Sequence, residues 1–302
     1  GESLVKRAVK QPQNLTKAFD HLRKEGLAKT ISKIKNRGEQ AEPTGYSAAG
    51  EVVKTGAKIK NINPGDKAAC AGAGIANHAE YIEVPENLFV KIPEGVSMAD
   101  ASTVALGAIA LQGVRRADLK LGEYAAVIGL GILGQLTVQL LKANGCRVIG
   151  TDLSERRIQK ALSLGLDEGV QANDSDIIKK AQQFSQGHGV DAVLITASTD
   201  SAEPLSQAFQ MCRKKGKVVL SGVVGMHINR GDMYPKESDF LISTSYGPGR
   251  YDEQYEKQGV DYPYAYVRWT ERRNMEEYLR LITNEKINIS PFKATDFPPS
   301  KA

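Results

Sequence analysis

Histidine and cysteine are scarce in this chain, four and three of 302 residues, and they are scattered. Cys70, Cys146 and Cys212 have no CxxC spacing and none stands beside a histidine pair. The sequence therefore offers neither a structural zinc knot nor a disulfide framework, and it points to a reducing, cytoplasmic setting. His21, His188 and His227 show no ligand spacing, and His78, in a Gly/Ala-rich turn, reads as a surface residue. No apolar run approaches the roughly 18 residues of a membrane helix. The start, Gly1-Glu2-Ser3-Leu4-Val5-Lys6, has no apolar leader core. The net charge of +5 is gathered at one end: residues 1–40 hold ten Lys/Arg and four Asp/Glu, +6, which leaves −1 for the rest. Such a stretch suits a polyanion or the solvated face of an amphipathic helix. The second reading is preferred, and nucleic acid is not an expected partner.

What is present is the composition of a globular chain, 41% apolar and 25% charged, long enough for two domains or one large one. Residues 1–40 read as helical, with Leu15, Phe19 and Leu22 on one face and Leu27, Ile31 and Ile34 continuing after Gly26. From Gly45 to Ile92, short β-rich runs (51–54, 67–70, 79–84 and 88–92) are separated by turns such as Asn63-Pro64-Gly65-Asp66, which predicts a small antiparallel barrel or meander. After Pro93 the pattern changes to apolar strands (125–128, 147–151, 192–196, 217–221, 240–244) alternating with helices such as 133–144 and 155–164. Such alternation predicts a parallel sheet covered on both faces. A last helix is expected over 274–284, with Met275, Tyr278, Leu279 and Ile282 on one side. Residues 248–270 read as a long loop holding five Tyr, two Arg, two Pro and the only Trp. A loop of that length inside a domain is more often functional than passive.

One motif carries chemistry. Gly129-Leu130-Gly131-Ile132-Leu133-Gly134 follows an apolar strand and opens an amphipathic helix, and the next strand ends at Asp152, 23 residues after Gly129. This is the spacing of a dinucleotide-binding βαβ unit. Gly129 permits the tight turn, Gly131 lets a pyrophosphate approach, and Gly134 lets the helix pack on the strand. The amides around Ile132 and Leu133 face the phosphates. Asp152, with Leu153 beside it, accepts from the ribose hydroxyls and repels a 2′-phosphate, which favours NAD over NADP. Arg156 and Arg157 weaken that preference. The later strand ends, Ala197-Ser198, Gly222-Val223 and Ser245-Tyr246, should share the same carboxyl edge of the sheet.

The strings GYSAAGEVVKTGAKIKNINPGDKAA, AEYIEVPENLFVKIPEGVSMADAS and TDLSERRIQKALSLG, in this order around the glycine motif, resemble the medium-chain dehydrogenase/reductase superfamily. The resemblance implies an α/β fold: a Rossmann doubly wound parallel sheet over 105–286, plus a truncated GroES-like catalytic domain over 1–104 to which 287–302 returns. GESLVKRAVKQPQNLTKAFD and KESDFLISTSYGPGRYDEQYEKQGVDYPYAYVRWTERRNM are similar to a zinc-lacking branch whose members are often fused to a Gfo/Idh/MocA-type oxidoreductase module and associated with glycan metabolism. It implies a small-molecule or glycan substrate, a fused or partner oxidoreductase module, and a homodimer. The family's first strands have no counterpart before Gly1, so the chain is expected to be a fragment. Its zinc-ligating His-Glu pair would fall at Tyr46 and Ser47, and its third ligand near Val104, so no zinc is expected.

Without a metal, a side chain must manage the proton or oxyanion of hydride transfer. Tyr46, with Ser47 beside it, is the first candidate, against the plainer reading of a tyrosine packed in the cleft. Lys236 is a second, against a surface ion pair with Glu237. Arg250, Tyr251, Tyr262, Tyr264 and Arg268 suit carboxylates and sugar rings, or an interface with another module. The cysteines read as buried small residues. The preferred function is a zinc-independent, NAD(H)-linked dehydrogenase or reductase of a sugar-like hydroxyl or carbonyl. The alternatives are an NADPH-dependent quinone or enoyl reductase, and a cofactor-binding module that supports a fused partner without catalysis.

Overall fold

Two sheets organise the described residues, 44–292 of the computed structural model. The basic stretch 1–40 with its expected helices, and the chain from 293 onward, lie outside the described residues. The smaller sheet is antiparallel, β1 (Ser47–Glu51), β2 (Lys67–Ala71) and β3 (Phe89–Lys91), with β2 in the centre. β1 starts before the expected 51–54 run and ends at Glu51. Beyond it Val52 meets Asp66 and Gly65 through the chain's backbone and closes the Asn63-Pro64-Gly65-Asp66 turn. The expected 79–84 strand does not form. Its alternation has no apolar layer to face, and Tyr81 is 77% exposed.

The larger sheet is parallel throughout, in the order β6-β5-β4-β7-β8-β9. Its strands are β4 (Tyr124–Ile128), β5 (Arg147–Asp152), β6 (Glu168–Gln171), β7 (Val190–Ile195), β8 (Cys212–Leu220) and β9 (Asp239–Ile242). The order reverses at β4, which makes the sheet doubly wound with its switch point between β4 and β7. The helices are α1 (Met98–Ala101), α2 (Val104–Ala117), α3 (Ile132–Ala143), α4 (Glu155–Ser163), α5 (Ile177–Phe184), α6 (Glu203–Met211), α7 (Arg230–Met233), α8 (Glu253–Gln258) and α9 (Glu271–Thr283). Among the described residues no helix is long and apolar enough to cross a membrane.

The strand sequences are almost continuously apolar because both faces are covered. In β4, Ala125 and Val127 enter a core shared with α2, α3, α9 and the small sheet, while Ala126 and Ile128 enter a second core under α5 and α6. The first core joins Ala69 and Val90 of the small sheet to Leu111 and Tyr278. Residues 287–292 follow α9. Ile287 and Ile289 are buried in the first core, Asn288 N–H donates to Gln139 Oε1 of α3 at 2.7 Å, and Lys160 Nζ of α4 donates to the Pro291 carbonyl at 2.7 Å.

α9 packs closely on α2. Met275, Tyr278 and Leu279 sit one turn apart on the buried face of α9, and Tyr278 Oη meets Thr103 Oγ1 at 2.8 Å. The Tyr278 ring lies where a side chain at Gly107 would begin, 2.3 Å from an ideal Cβ. Gly107→Ala should therefore force the two helices apart. An overpacked core typically loses about 1–3 kcal/mol, which would show as a lower urea midpoint with an unchanged slope.

Candidate dinucleotide site

The glycine turn is where the two halves of the large sheet separate. Gly129 has φ +93°, and a Cβ on it would stand 2.7 Å from the Ala197 amide nitrogen. A Cβ on Gly134 would stand 1.9 Å from the Gly129 carbonyl oxygen, which also accepts the Thr196 hydroxyl at 2.5 Å. These two glycines are required by the chain itself. Gly131 is different: a Cβ there would meet nothing within 4 Å. It stands at the N-cap of α3 with no side-chain cap, so the first amides of the helix, through Ile132, Leu133 and Gly134, point into open space. A pyrophosphate fits that opening and those donors, in the field of the helix N-terminus.

Asp152 closes β5 beside the turn. It is 6% exposed; Oδ2 accepts the Leu130 amide at 2.7 Å and Oδ1 accepts the Ser154 amide at 2.8 Å. The carboxylate thus holds the glycine turn against the β5–α4 loop, and each oxygen keeps a second lone pair for a ribose hydroxyl. Arg157 Nη1 lies 3.6 Å from Oδ1 on a side chain 55% exposed. Leu153 and Ile132 are exposed beside it, as the apolar flank of such a site would be.

The other expected residues converge on this edge. Ala197 N–H donates to the Ile128 carbonyl, Val223 N–H to the Ala197 carbonyl, and Ser198 bridges Val223. A Cβ on Gly222 would lie 2.1 Å from the Ala197 carbonyl oxygen. Ser245, at φ +46°, turns the chain out of β9 so that Tyr246 is buried, its phenol against the Ala73 amide. Burial raises the Tyr246 phenol above its ordinary pKa, while neighbouring Arg250 works the other way. Gly72 N–H donates to the Tyr46 carbonyl, which places Tyr46 next to that contact with its side chain 40% exposed. Ser47 is committed elsewhere. Its hydroxyl donates to the Ser102 carbonyl at 2.6 Å and accepts the Ala105 amide at 3.1 Å, tying β1 to the start of α2.

Three expectations are corrected. Lys236 precedes β9, at the amino edge of the sheet, and its Nζ donates to the carbonyls of Phe209, Gln210 and Cys212 at 2.6–2.9 Å. It caps α6 and cannot reach the carboxyl edge. Residues 248–270 are not one loop, because Asp252 caps the short helix α8 and Gly259 ends it. Nor do their side chains form one cluster. Arg250 pairs with Glu256 at 2.5 Å and lies over Tyr251, and Tyr262 donates to Asp252 at 2.6 Å and stacks on Tyr255. That bond and burial push the Tyr262 phenol up to about 12. Arg268 turns away to Trp269.

A residue that sequence reasoning missed is Glu271, fully buried at the first turn of α9. Among the described residues neither of its carboxylate oxygens has a hydrogen-bond partner. Burial, reinforced by Glu256 and opposed by Arg250, pushes its pKa up to about 8. Acid residues are common at helix starts, and nothing local marks this one as buried.

Zinc does not fit the described donors. Tyr46 and Ser47 present hydroxyls, one of them already bonded, and no group of three His, Cys, Asp or Glu converges among the described residues. The three cysteines are buried, and burial holds them as thiols, Cys70 at about 11 and Cys212 at about 12.

Residues 133–260 match the family described as zinc-binding dehydrogenase. The chain is similar to (R,R)-butanediol dehydrogenase of Bacillus subtilis (strain 168), 29% identical over 220 residues, 64% of this chain and 62% of that protein. It thus spans about three fifths of the length of the curated relatives it matches. Among solved structures it resembles galactitol-1-phosphate dehydrogenase from Escherichia coli, at TM-score 0.67 and 18% identity, covering 85% of this chain and 78% of that one. It also resembles a dehydrogenase from Sinorhizobium meliloti 1021, described as zinc-binding and bound to NADP, at TM-score 0.63 and 22% identity, covering 80% and 73%. The described residues have the α/β fold of the medium-chain dehydrogenases. Residues 133–260 carry the sequence pattern of the zinc-binding dehydrogenase family, which this chain resembles.

Two outcomes follow from this geometry. Gly131→Val should leave the melting temperature nearly unchanged and weaken dinucleotide binding at least tenfold by calorimetry, whereas Gly134→Ala should unfold the turn. Glu271 holds a proton when folded up to about pH 8 and loses it near its ordinary pKa of 4.5 when unfolded. Stability should therefore fall as pH rises from about 4.5 to about 8, by at most about 1.4 kcal/mol per pH unit, and level off above. Relative to the wild type, Glu271→Gln should be stabilised progressively across that window in denaturant titrations. A constant difference between the two proteins would contradict the assignment.

Proposed function

We propose that this chain is an NAD(H)-dependent oxidoreductase that moves hydride to or from a hydroxyl or carbonyl of a sugar-like substrate, with no zinc in the step. The observation that carries the reading is the buried Asp152 carboxylate beside the open amides of α3, at the switch point of a doubly wound sheet. Nicotinamide, when bound, supplies or accepts the hydride. The α3 amides hold the pyrophosphate, Asp152 the adenosine ribose, and the residues at the ends of β7, β8 and β9 line the way to the reacting ring. Tyr46 is the proposed proton donor, positioned by the Ser47 hydroxyl that fixes the start of β1. Arg250 and Tyr251 face the substrate. The sugar-like class rests on the names of two relatives, a butanediol dehydrogenase and a galactitol-1-phosphate dehydrogenase, both dehydrogenases of hydroxyl-bearing compounds.

One observation favours a second reading. Arg157 stands beside Asp152 with its guanidinium in solvent, where it would meet a 2′-phosphate, and one structural neighbour holds NADP. That reading is an NADPH-dependent reductase of quinones or other activated double bonds. Calorimetric titration separates the two: NAD should bind at least tenfold tighter than NADP. The reverse order would favour the second reading, and no binding of either would remove both. In hydride exchange with a panel of sugars, polyols and quinones, Tyr46→Phe should lower kcat by about 100-fold or more, the usual contribution of a general acid, with little change in KM.

A further inference from the structure

The segment that leaves β9 folds back over the first turn of α9. Glu271 N–H donates to the Pro248 carbonyl at 2.8 Å, and one turn on Asn274 Nδ2 donates to the Tyr246 carbonyl at 2.8 Å. From the other side Asn87 Nδ2 donates to the Tyr255 carbonyl in α8 at 2.9 Å. These bonds lay residues 246–258 across the end of the helix and enclose the Glu271 side chain, which is fully buried with neither carboxyl oxygen hydrogen-bonded among the described residues.

A single guanidinium is enclosed with two carboxyl groups. Arg250 Nη1 meets Glu256 Oε1 at 2.5 Å, and these side chains are only 15% and 10% exposed. Arg250 Nε is buried too and has no partner among the described residues. The Arg250 guanidinium carbon lies 4.0 Å from the Tyr251 ring centre. The other ionisable groups around Glu271 are phenols, Tyr246 from the segment after β9, Tyr255 from α8 and Tyr262 beyond it. The arginines next to Glu271 on α9 are engaged elsewhere, Arg272 with Glu276 and Glu86 and Arg273 with Asp261, while Arg115 of α2 donates to Asn274. One buried cation cannot balance two neighbouring carboxylates, so a proton must neutralise one of them. Burial, then Glu256, keep that proton on Glu271, against Arg250.

We infer that Glu271 is a second, proton-gated partner of Arg250: protonated, it leaves the guanidinium to Glu256 alone; ionised, it draws the unbonded Nε edge toward α9 and the guanidinium off the Tyr251 ring. The segment that carries Arg250 starts at the Ser245-Tyr246 turn, on the carboxyl edge where ligands of doubly wound sheets bind. A single proton thus sets the shape of one side of that edge. The device stands on its own residues and does not depend on the proposed redox reaction.

Trp269, the chain's only tryptophan, lies two residues before Glu271, with the Arg115 guanidinium carbon 3.3 Å from its ring centre. Its fluorescence should titrate with a midpoint near pH 8 in the wild type and lose that change in Glu271→Gln, a neutral replacement of the same shape. In Glu256→Gln the midpoint should move to lower pH, because the like charge is gone and Arg250 is free. The Arg250 Nε–H resonance, assigned by its loss in Arg250→Lys, should shift with the wild-type midpoint and stay still in Glu271→Gln. Denaturant titrations at about pH 8.5, above the transition, give an independent measure. There Glu271→Gln should stabilise the wild type but keep less than half of that gain in the Glu256→Gln background, where an ionised Glu271 has become the partner of Arg250. A flat wild-type titration, a transition that persists in Glu271→Gln, an Arg250 resonance indifferent to pH, an unmoved midpoint in Glu256→Gln, or an equal gain in both backgrounds would each overturn the inference.

Discussion

The approach of α3 to the end of β4 is set by the absence of a single carbon atom. With no side chain at Gly134, the helix can lie against the Gly129 carbonyl, and Thr196 completes that carbonyl's hydrogen bonding from the neighbouring strand. Once this contact is made, the helix axis is aimed along the turn, its first amides are left without acceptors, and Gly131 stands over empty space. The dinucleotide site is thus a by-product of close packing between a helix and a strand. Two of the three glycines are required by the fold, and the middle one is left free for the proposed ligand.

Asp152 shows the same sharing of duties. Its carboxylate joins two loops through backbone amides and is almost hidden from solvent, so it would be needed for local order in a chain that bound nothing. A residue that also holds the turn cannot be exchanged freely without loosening that turn, and the exposed Arg157 beside it carries no such constraint.

The parts legible in the sequence were those whose physics is local. A strand, a glycine turn and a helix announce themselves within about thirty residues, and the apolar runs of β4, β5, β7, β8 and β9 follow from burial on both faces. β6 was missed because it has one buried apolar residue, Val170. Residues 79–84 were misread because alternation says nothing about whether a partner strand exists. Lys236 was chosen for its nearness to a strand, but the chain reaches the carboxyl edge of the sheet only at the strand's other end. The stacking of Arg115 on Trp269 joins residues far apart in the chain, and the burial of Glu271 depends on α8 and the segment after Tyr246. Neither can be read from spacing along the chain.

The three thiols have a consequence of a different kind. Cys70 lies in the small sheet, Cys146 between α3 and β5, and Cys212 at the start of β8, each buried and held protonated. Reagents that need an exposed thiolate will pass over the native chain and modify it only where it opens. The protein therefore carries three built-in clocks, one in each region, and the order in which they are struck is the order in which the fold comes apart.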